Sequence, residues 1–465
     1  MGSISGLFNI AMLSLQAQQA AMQVTGHNIA NVNTPGYSRQ NVIFSETPPT
    51  DGSPGQIGTG VRAVEVRRRY DQFIEAQIAQ ANQDFGSLEA RKNVLDRVEL
   101  LFNDTQGLGL GQSLDDFFLS LQDLANNPTG TAERTMVLRR AETLSSRFNQ
   151  TASELTRIQN DLNAQIGQEV SEVNLLAAQI ADLNEKITQA EISGQNANDY
   201  RDMRGNLLNE MSAKIDIAYF EDNSGQVTVF TGGGFSLVEG RNVRSLSVED
   251  TDGDGFNNVL FPTSSSVSTD ISTRIQGGKL EGLIAMRDVQ IPDAQNQLDQ
   301  LAFSFVTEMN AQHQAGYGLD GTTGNDLFAP LAGAQGAASL MTVSLTDTNK
   351  VAASATVEGL PGDNTNALAL IELQNQLTMN GGSSTFHDYY KDIVQGIGST
   401  LQQTERDYDA QEFTLQQMDA MRESTSGVSI DEEMANLMKF QRAFEASAKL
   451  IALADEMLQT VIEMV

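Results

Sequence analysis

Apolar residues recur every seven positions along several long stretches of this chain. The first series comprises Phe8, Leu15, Met22 and Ile29, with Met12 beside it. A seven-residue spacing returns a side chain to the same stripe of an α-helix every two turns, as in a seam between helices. The pattern therefore predicts an N-terminal helix of about 40 Å at ~1.5 Å per residue.

The same repeat returns at the other end of the chain. Its members are Leu437, Phe444, Ile451, Leu458 and Val465. Heptads sustained over four periods favour a coiled-coil-type helix, and Ser429 before an acidic first turn is a typical N-cap. Two striped helices at opposite termini predict a pair that closes the chain into a hairpin, with everything else inserted between them.

Helical periodicity also fills much of the intervening chain. The segment NNPTGTAER at 126–134 is a turn, because proline and glycine interrupt helices. A long helix is expected from about Ala132 to Ile192, with a soft spot at most near Gly167. Such a helix needs neighbours along its whole length, which predicts a rod-like helical domain. Several shorter helices are the alternative, and they change this inference only slightly.

After Lys214 the pattern alternates in the manner of strands, and a smaller β-rich patch is expected at 341–358. The predicted fold class is mainly α with inserted β, with paired terminal helices, a coiled-coil-like rod and a small β-rich outer domain. The expected domains are 1–36 with 428–465 (terminal helical assembly domain), 37–69 (extended or β arm), 70–205 with 275–330 and 365–427 (helical rod), 206–274 (β-rich outer domain) and 331–364 (small β-containing insertion).

The string DTDGDGFNN at 250–258 suggests a weak calcium candidate. Asp250, Asp252 and Asp254 hold the first, third and fifth positions of a binding loop, but the twelfth position is Phe261, where a bidentate glutamate is required. A turn is the favoured interpretation, so no metal site is predicted.

Composition and charge exclude several classes of function. Lys and Arg total 29 against 60 Asp and Glu, a formal net charge of −31, which repels nucleic acid; 62–69 holds the only dense arginine cluster. Cysteine is absent, which excludes disulfides and thiolate chemistry, and only three histidines occur. The sequence contains no nucleophile elbow, no phosphate loop and no histidine pair at metal-ligand spacing, so we expect neither enzyme activity nor a cofactor.

The N-terminal stripe leads into the stretch NIANVNTPGYSRQ at 28–40. The first 38 residues carry no Asp, Glu, Lys or Arg, and such a charge-free helix suggests contact with protein on more than one side. Asn31 and Asn33 tolerate left-handed backbone at a helix end, and Thr34 before a proline is biased towards extended backbone. Pro35 and Gly36 fit the centre of a type II turn, after which Tyr37 begins an extended arm. The stretch is therefore interpreted as a hinge rather than a reactive loop.

These segments resemble the bacterial flagellar axial proteins, the family of rod, hook and hook-associated components. NIANVNTPGYSRQ is similar to the N-terminal signature of that family, and the segment 427–458 resembles its C-terminal counterpart. GYSRQ and LAFSFVTEMNAQHQAGYGLDG at 301–321 favour the hook-associated members. The resemblance covers most of the chain except the β insertions.

The resemblance implies a structural adaptor that joins the flagellar hook to the filament. It implies a ring of copies contacting hook protein and the next junction protein, an extracellular location, and export through the flagellar type III apparatus without a cleaved signal. It also implies that the terminal helices are disordered in the monomer and line the tube after assembly, and that an export chaperone binds the C-terminal helix. No membrane insertion is expected, because no stretch has the apolar length required.

Two alternatives stay open at this point. Another axial filament protein, such as hook protein or flagellin, also has paired terminal helices, although flagellin is not expected to carry NTPGY. An intracellular coiled-coil scaffold predicts termini that are folded in solution.

Overall fold

The computed structural model describes residues 2–52, 55–102, 109–192, 194–264 and 267–464 of the 465-residue chain. The helices are α1 (Gly2–Ala30), α2 (Gln72–Phe102), α3 (Leu110–Asn126), α4 (Thr131–Glu191), α5 (Asn198–Lys214), α6 (Gly278–Ala285), α7 (Ile291–Ala315), α8 (Ala337–Leu340), α9 (Thr365–Glu372), α10 (Phe386–Ser426) and α11 (Ile430–Glu463). The strands are β1 (Gln40–Glu46), β2 (Thr50–Gly52), β3 (Gly55–Ile57), β4 (Val61–Arg68), β5 (Ala218–Glu221), β6 (Val227–Thr231), β7 (Phe235–Glu239), β8 (Asn242–Val243), β9 (Ser247–Glu249), β10 (Asn258–Ser264) and β11 (Val267–Asp270). Long helices with small inserted sheets confirm the predicted fold class.

Helix α4 is the long helix that the sequence predicts. It is 61 residues long, or about 90 Å, and it continues without a break through Gly167. Leu162, Ile166 and Val173 are fully buried, as their spacing predicts. Before α4, the turn at 126–134 is fixed by Arg134, whose side chain donates hydrogen bonds to the carbonyl oxygens of Pro128 and Val351.

A cluster of phenylalanine rings lies at one end of the rod. Phe305 of α7 is fully buried, with ring centroids 5.4–6.2 Å from four other phenylalanines. These are Phe117 and Phe118 of α3, Phe328, and Phe386 at the start of α10. The cluster joins chain segments that are far apart in sequence, so it anchors the rod as one core.

Two small antiparallel sheets pack against α4. The four-stranded sheet has the order β5-β6-β7-β8, and the three-stranded sheet has the order β11-β10-β9. Asn184 of α4 is fully buried and makes four hydrogen bonds that hold the first sheet. Its Nδ2 donates to the carbonyl oxygens of Val227 and Gly240, while its Oδ1 accepts from the Val227 amide and the Arg204 guanidinium.

The structure corrects two of the expected boundaries. Residues 206–214, assigned to the β-rich outer domain, belong to α5, and the first strand starts at Ala218. The expected β-containing insertion at 331–364 forms none of the strands, only isolated bridges such as Phe328 to Val343 beside α8 and short 3₁₀ turns. The alternation in that segment is apolar enough to bury, but no neighbouring segment runs beside it as a strand.

The two ends of the sequence meet away from the rod core. Helix α1 packs along α11, and the ribbon formed by β1 and β4 lies beside this pair. Phe44 of β1 contacts Phe440 of α11, with ring centroids 6.3 Å apart. Helices α2 and α10 form a second antiparallel pair, in which Gln411 donates to the Ala81 carbonyl oxygen at 2.9 Å.

Candidate assembly interface

Small residues form the contact between the two terminal helices. Ala11 and Ala21 of α1 are at most 1% exposed, and Ala454 of α11 is fully buried. The hydroxyl oxygens of Ser14 and Ser447 lie 2.8 Å apart and share a hydrogen bond. Side chains of this size allow the two backbones to approach closely, so this seam buries little apolar surface.

The predicted N-terminal stripe is not the seam within the chain. Phe8 and Met12 are 37% and 41% exposed, while Leu15, Met22 and Ile29 are half-buried. A seven-residue spacing shows that the residues share one side of the helix, but it does not show which neighbour that side faces. In this structure the alanines of α1, not the heptad residues, contact α11. The expectation that this stripe forms the seam is therefore corrected, whereas its role in assembly stays a prediction.

The predicted C-terminal stripe lies at the edge of the seam. Leu437, Phe444 and Ile451 are half-buried, and Leu458 is 36% exposed. Val465 lies outside the described residues. Beyond this stripe, α11 exposes a second set of apolar side chains. They are Met434, Met438, Leu450, Leu453, Met457 and Ile462. Exposed apolar side chains in this number on one helix are typical of a contact with another protein.

The turn after α1 has the predicted geometry at its glycine. The Tyr37 amide donates to the Thr34 carbonyl oxygen at 3.2 Å, so Thr34, Pro35, Gly36 and Tyr37 form a β-turn. Gly36 has φ +73°, as the third position of a type II turn requires. A Cβ there would also lie 1.7 Å from Oδ1 of Asn206 on α5, so the turn sits directly against the rod.

The two asparagines of the signature turn behave differently from the prediction. Neither Asn31 nor Asn33 has a positive φ, since Asn380 is the only described non-glycine residue that does. Asn31 instead continues the last helical turn, and its Nδ2 donates to the His27 carbonyl oxygen at 3.0 Å. Asn33 is exposed. The glycine therefore supplies the only left-handed residue at this helix end.

Asn28 is the centre of the joint between the terminal helices and the arm. Its side chain is 1% exposed and fully hydrogen-bonded. Nδ2 donates to the Gln40 carbonyl oxygen and to Glu433 Oε2, at 2.9 and 3.0 Å. Oδ1 accepts from the Gln40 amide at 3.0 Å and from the Tyr37 hydroxyl at 2.8 Å. One residue thus fixes α1, the turn, β1 and α11 together.

Tyr37 remains a hydrogen-bond donor in this environment. Burial, together with the negative charges of Asp199, Asp202 and Glu433, raises the pKa of Tyr37 above its usual range. The phenol therefore stays protonated at physiological pH and keeps its hydrogen bond to Asn28.

Arg39 joins the arm to α11 through two carboxylates. Its guanidinium lies 2.6 Å from Glu432 Oε2 and 2.5 Å from Glu433 Oε1. The Arg39 side chain is 9% exposed and that of Glu433 is 2% exposed, so this pair is desolvated. The Arg39 amide also donates to the Ser426 carbonyl oxygen at 2.8 Å, between α10 and α11. A buried charge pair of this kind fixes one register of the two ends, because a shifted register leaves a charge unpaired.

Asp202 of α5 ties the same joint to the rod. It accepts from the Ser38 amide at 2.9 Å and from the Arg68 guanidinium at 2.8 Å. Burial raises the pKa of Asp202, and these hydrogen bonds oppose that rise. The start and end of the arm ribbon are therefore attached to one carboxylate on the rod.

The aspartate loop has convergent carboxylates on an exposed turn. Single oxygens of Asp250, Asp252 and Asp254 lie within 4.8 Å of one another. Asp250 already accepts from the amides of Gly253 and Gly255, as in an ordinary turn. Phe261, at the twelfth position, is buried in β10. Calcium binding at this loop stays a hypothesis.

Three family models match segments of this chain. A model described as the flagellar hook-associated protein FlgK helical domain matches residues 95–328. Models for a flagella basal body rod protein and for the flagellar basal body rod FlgEFG protein C-terminal region match residues 8–37 and 422–464. Flagellar hook-associated protein 1 of Bacillus subtilis (strain 168) is 30% identical, with 97% of this chain and 96% of the relative covered. The chain belongs to the flagellar hook-associated protein 1 family.

Other relatives match along the same length. Flagellar hook-associated protein 1 of Salmonella typhimurium is 28% identical, with 97% of this chain and 98% of the relative covered. The protein of that name from Escherichia coli (strain K12) is 26% identical, with coverage of 99% and 100%. A solved structure titled as the flagellar hook junction protein FlgK from Burkholderia pseudomallei matches the fold with a TM-score of 0.68. That structure is 18% identical and covers 75% of this chain and 100% of its own.

Membership of the hook-associated protein 1 family decides between the earlier alternatives. Neither a hook or flagellin-like protein nor an intracellular scaffold is favoured, because the relatives matched over their full length are hook-associated proteins. The two rod-protein models cover α1 with its turn and α11, which are the elements joined by Asn28, Arg39 and Glu433.

The sequence interpretation missed the polar residues that hold this joint. In the sequence, Asn28 is one residue of the signature stretch, and Glu433 is one of three acidic residues in the first turn of α11. The available signal was an asparagine inside an otherwise apolar helix, because a polar residue on a seam indicates a specific hydrogen bond. Nothing in the sequence indicates that its partner lies more than 400 residues away.

Helix length and hydropathy bear on membrane contact. Within the described residues, every helix is either too short or too polar to cross a bilayer.

Proposed function

We propose that this chain is a structural adaptor that joins the flagellar hook to the filament, assembled as an annular layer of copies at the junction. The observation that carries the proposal is the full-length match to hook-associated protein 1 relatives. The terminal helix pair supports it, because the pair leaves large apolar side chains of both helices uncovered. Neighbouring copies in a tube supply the missing cover.

The terminal domain, residues 1–36 with 428–465, forms the inner layer that lines the tube. Phe8, Met12, Leu15, Met22 and Ile29 of α1 then face neighbouring copies. On α11 this role falls to Leu437, Phe444, Ile451 and Leu458, and Val465 continues the same series in the sequence. The segment 37–69 links this layer to the rod, and the outer sheets lie furthest from the axis.

The terminal helices order fully only on assembly. Their seam is made of small residues, and α11 has only three buried residues among those described, Glu433, Ser447 and Ala454. So little buried surface offsets little of the entropy lost when two long helices become ordered. We expect the amides of residues 3–33 to exchange rapidly in the isolated monomer, and strong protection there contradicts this proposal.

The partners follow from this position. They are further copies of the chain, hook protein, the next hook-associated junction protein, and a cytoplasmic chaperone that covers the apolar face of α11 before export. The chain leaves the cell through the flagellar type III apparatus and resides at the extracellular junction. A protein without cysteine forms no disulfides on that route.

Electron microscopy of cells that lack the protein tests the function directly. Hooks without filaments are expected, and normal filaments overturn the proposal. Deletion of 437–465 is expected to abolish junction assembly while circular dichroism shows the rod still folded; motile cells with intact filaments contradict this role of α11.

A point variant separates assembly from folding. Met438→Glu puts a charge on the exposed face of α11, where Met438 is 52% exposed, and it is expected to block assembly. Val267→Glu on β11 is the matched control, since Val267 is 56% exposed in the outer sheet. Both proteins are expected to melt like the wild type, because neither side chain is buried.

A further inference from the structure

The outward face of the arm ribbon is basic. In the pairing of β1 with β4, Arg62 lies opposite Ser45 and Arg67 lies opposite Asn41, so both arginines share one face. Arg62 is exposed and makes no ion pair with a described residue, and the Arg67 side chain is 65% exposed beside Glu65. Ile43, on the same face between them, is 38% exposed. We call this surface the ribbon face.

The charge of the ribbon face contrasts with the rest of the chain. Acidic residues outnumber basic ones by 60 to 29, yet the segment 61–69 holds four arginines and a single glutamate. Arg68 is turned inward to Asp202, which leaves Arg62, Arg67 and Arg69 outside. Exposed arginines beside an exposed isoleucine are typical of a surface that binds an acidic partner.

The half of α10 nearest the terminal helices has the complementary character. It is formed by residues 405–425, none of which is buried. Its acidic residues are Glu405, Asp407, Asp409, Glu412, Asp419 and Glu423, against the two bases Arg406 and Arg422. Phe413 is 69% exposed and Met421 is 50% exposed. We call this surface the acidic face of α10.

The acidic face of α10 has a free side. Helix α2 covers the other side, where Phe85 packs on Tyr408 with ring centroids 4.9 Å apart. Helix α2 covers only one side of α10, so an apolar side chain on the opposite side, such as Phe413, remains in solvent. Asp409 and Glu412 are exposed and make no ion pair within the described part of the chain.

We propose that the ribbon face of one copy docks on the acidic face of α10 of the neighbouring copy. The inference rests on the proposed function, because a ring repeats one contact between two different patches of the same chain. The two faces meet that condition, since neither is self-complementary and each offers an exposed apolar side chain among charges that are mostly of one sign. A second copy is the occupant because its acidic helix matches the ribbon face in both charge and exposed apolar groups.

Crosslinking in assembled flagella tests the contact. The chain has no cysteine, so Arg62→Cys with Glu412→Cys introduces the only two thiols. A short bismaleimide is expected to give dimers and higher multimers of this chain. Arg139→Cys with Glu412→Cys is the matched control, since the Arg139 side chain is 72% exposed on α4, and it is expected to give on the order of tenfold fewer multimers.

Charge reversal gives an independent readout. Arg62→Glu with Arg67→Glu is expected to reduce filaments per cell on the order of tenfold, because like charges then oppose one another across the contact. Adding Asp409→Arg and Glu412→Arg is expected to restore filaments. Recovery requires the two faces to meet, because changes at unrelated surfaces do not compensate.

The outcomes distinguish this inference from the proposed function. Normal filaments in cells without the protein overturn the function. If cells without the protein lack filaments, the function stands. If Arg62→Cys with Glu412→Cys then gives no more multimers than the control, the contact alone is wrong. A crosslinked band at monomer mass, or one that joins this chain to a different protein, also overturns the contact, as does failure of the reversed pairs to recover.

Discussion

The side chain of Asn184 offers a quantitative test of how the outer sheet is held to the rod. Asn184→Ala removes four hydrogen bonds at a site with no solvent exposure. Three are neutral, worth about 1 kcal/mol each, and the bond from Arg204 is charge-assisted, worth about 2 kcal/mol. Arg204 keeps its hydrogen bonds to Glu221 and to the Gly225 carbonyl oxygen. Local stability of the sheet is therefore expected to fall by about 3–5 kcal/mol.

Amide hydrogen exchange of the full chain measures this loss. Exchange of buried strand amides follows the free energy of local opening, so a loss of ~3 kcal/mol accelerates it by at least ~100-fold. The amides of Val227 and Val229 in β6 are expected to respond. Amides of α3 and α7 around Phe305 are expected to keep their wild-type rates, because none of the hydrogen bonds of Asn184 reaches α3 or α7.

A neighbouring asparagine provides the matched control. Asn174 of α4 is half-buried and makes only two hydrogen bonds, both to the backbone of Leu246 at 2.8 Å. Asn174→Ala is expected to cost about 1–2 kcal/mol, because water reaches the freed groups. Unchanged exchange at Val227 in Asn184→Ala, or an effect no larger than that of Asn174→Ala, refutes the assignment of Asn184 as the main attachment.

Three further predictions concern the joint and the core. Gly36→Ala is expected to impair filament assembly, because the new Cβ lies against Asn206 and the backbone there has a φ that favours glycine. Adding Asn206→Gly removes the clash but not the strained φ, so it is expected to restore assembly only in part. Full assembly by Gly36→Ala alone contradicts the close approach. Arg39→Met is expected to reduce filaments per cell more than the double change with Glu433→Met, because the single change leaves a buried charge unpaired; equal losses contradict this. Burial raises the pKa of Asp216 to about 6, above its unfolded value of 3.8, so the folded chain binds the extra proton and this group favours folding increasingly as pH falls from about 7 to 4. Urea unfolding at several pH values is expected to show Asp216→Asn most stable relative to the wild type near pH 7.5 and to lose most of that advantage by pH 4.5, whereas a constant difference rules out the shifted pKa.

Local patterns predicted the parts of this fold that depend on local physics. The buried positions of α4, Leu162 among them, follow from the helical spacing of its apolar residues, because any neighbouring element can cover that stripe. Ser429 caps α11 as predicted, with its hydroxyl accepting from the Glu432 amide. Gly36 takes the left-handed position because a type II turn admits few other residues there. Each of these features is determined within a few residues of sequence.

Features that depend on distant partners were not predictable in this way. The heptad that begins at Phe8 predicts a seam, whereas alanines form the seam in the structure, because a seven-residue period does not specify which side of the helix faces its partner. The segment 331–364 alternates like a strand but finds no strand to pair with. Asn28 and Asn184 act through partners that are remote in sequence, so their roles require the fold. The candidate interface was thus predictable as two helices and a turn, and its polar connections were not.

The pairing of α1 with α11 has a consequence for quality control. Everything from Asn31 to Ser429 lies between the two helices in sequence, so α1 has no partner until α11 has been synthesised. A truncated or proteolysed copy that lacks either helix cannot form this pair or the contact between Asn28 and Glu433. Under the proposed function, only copies that carry both terminal helices therefore enter the junction.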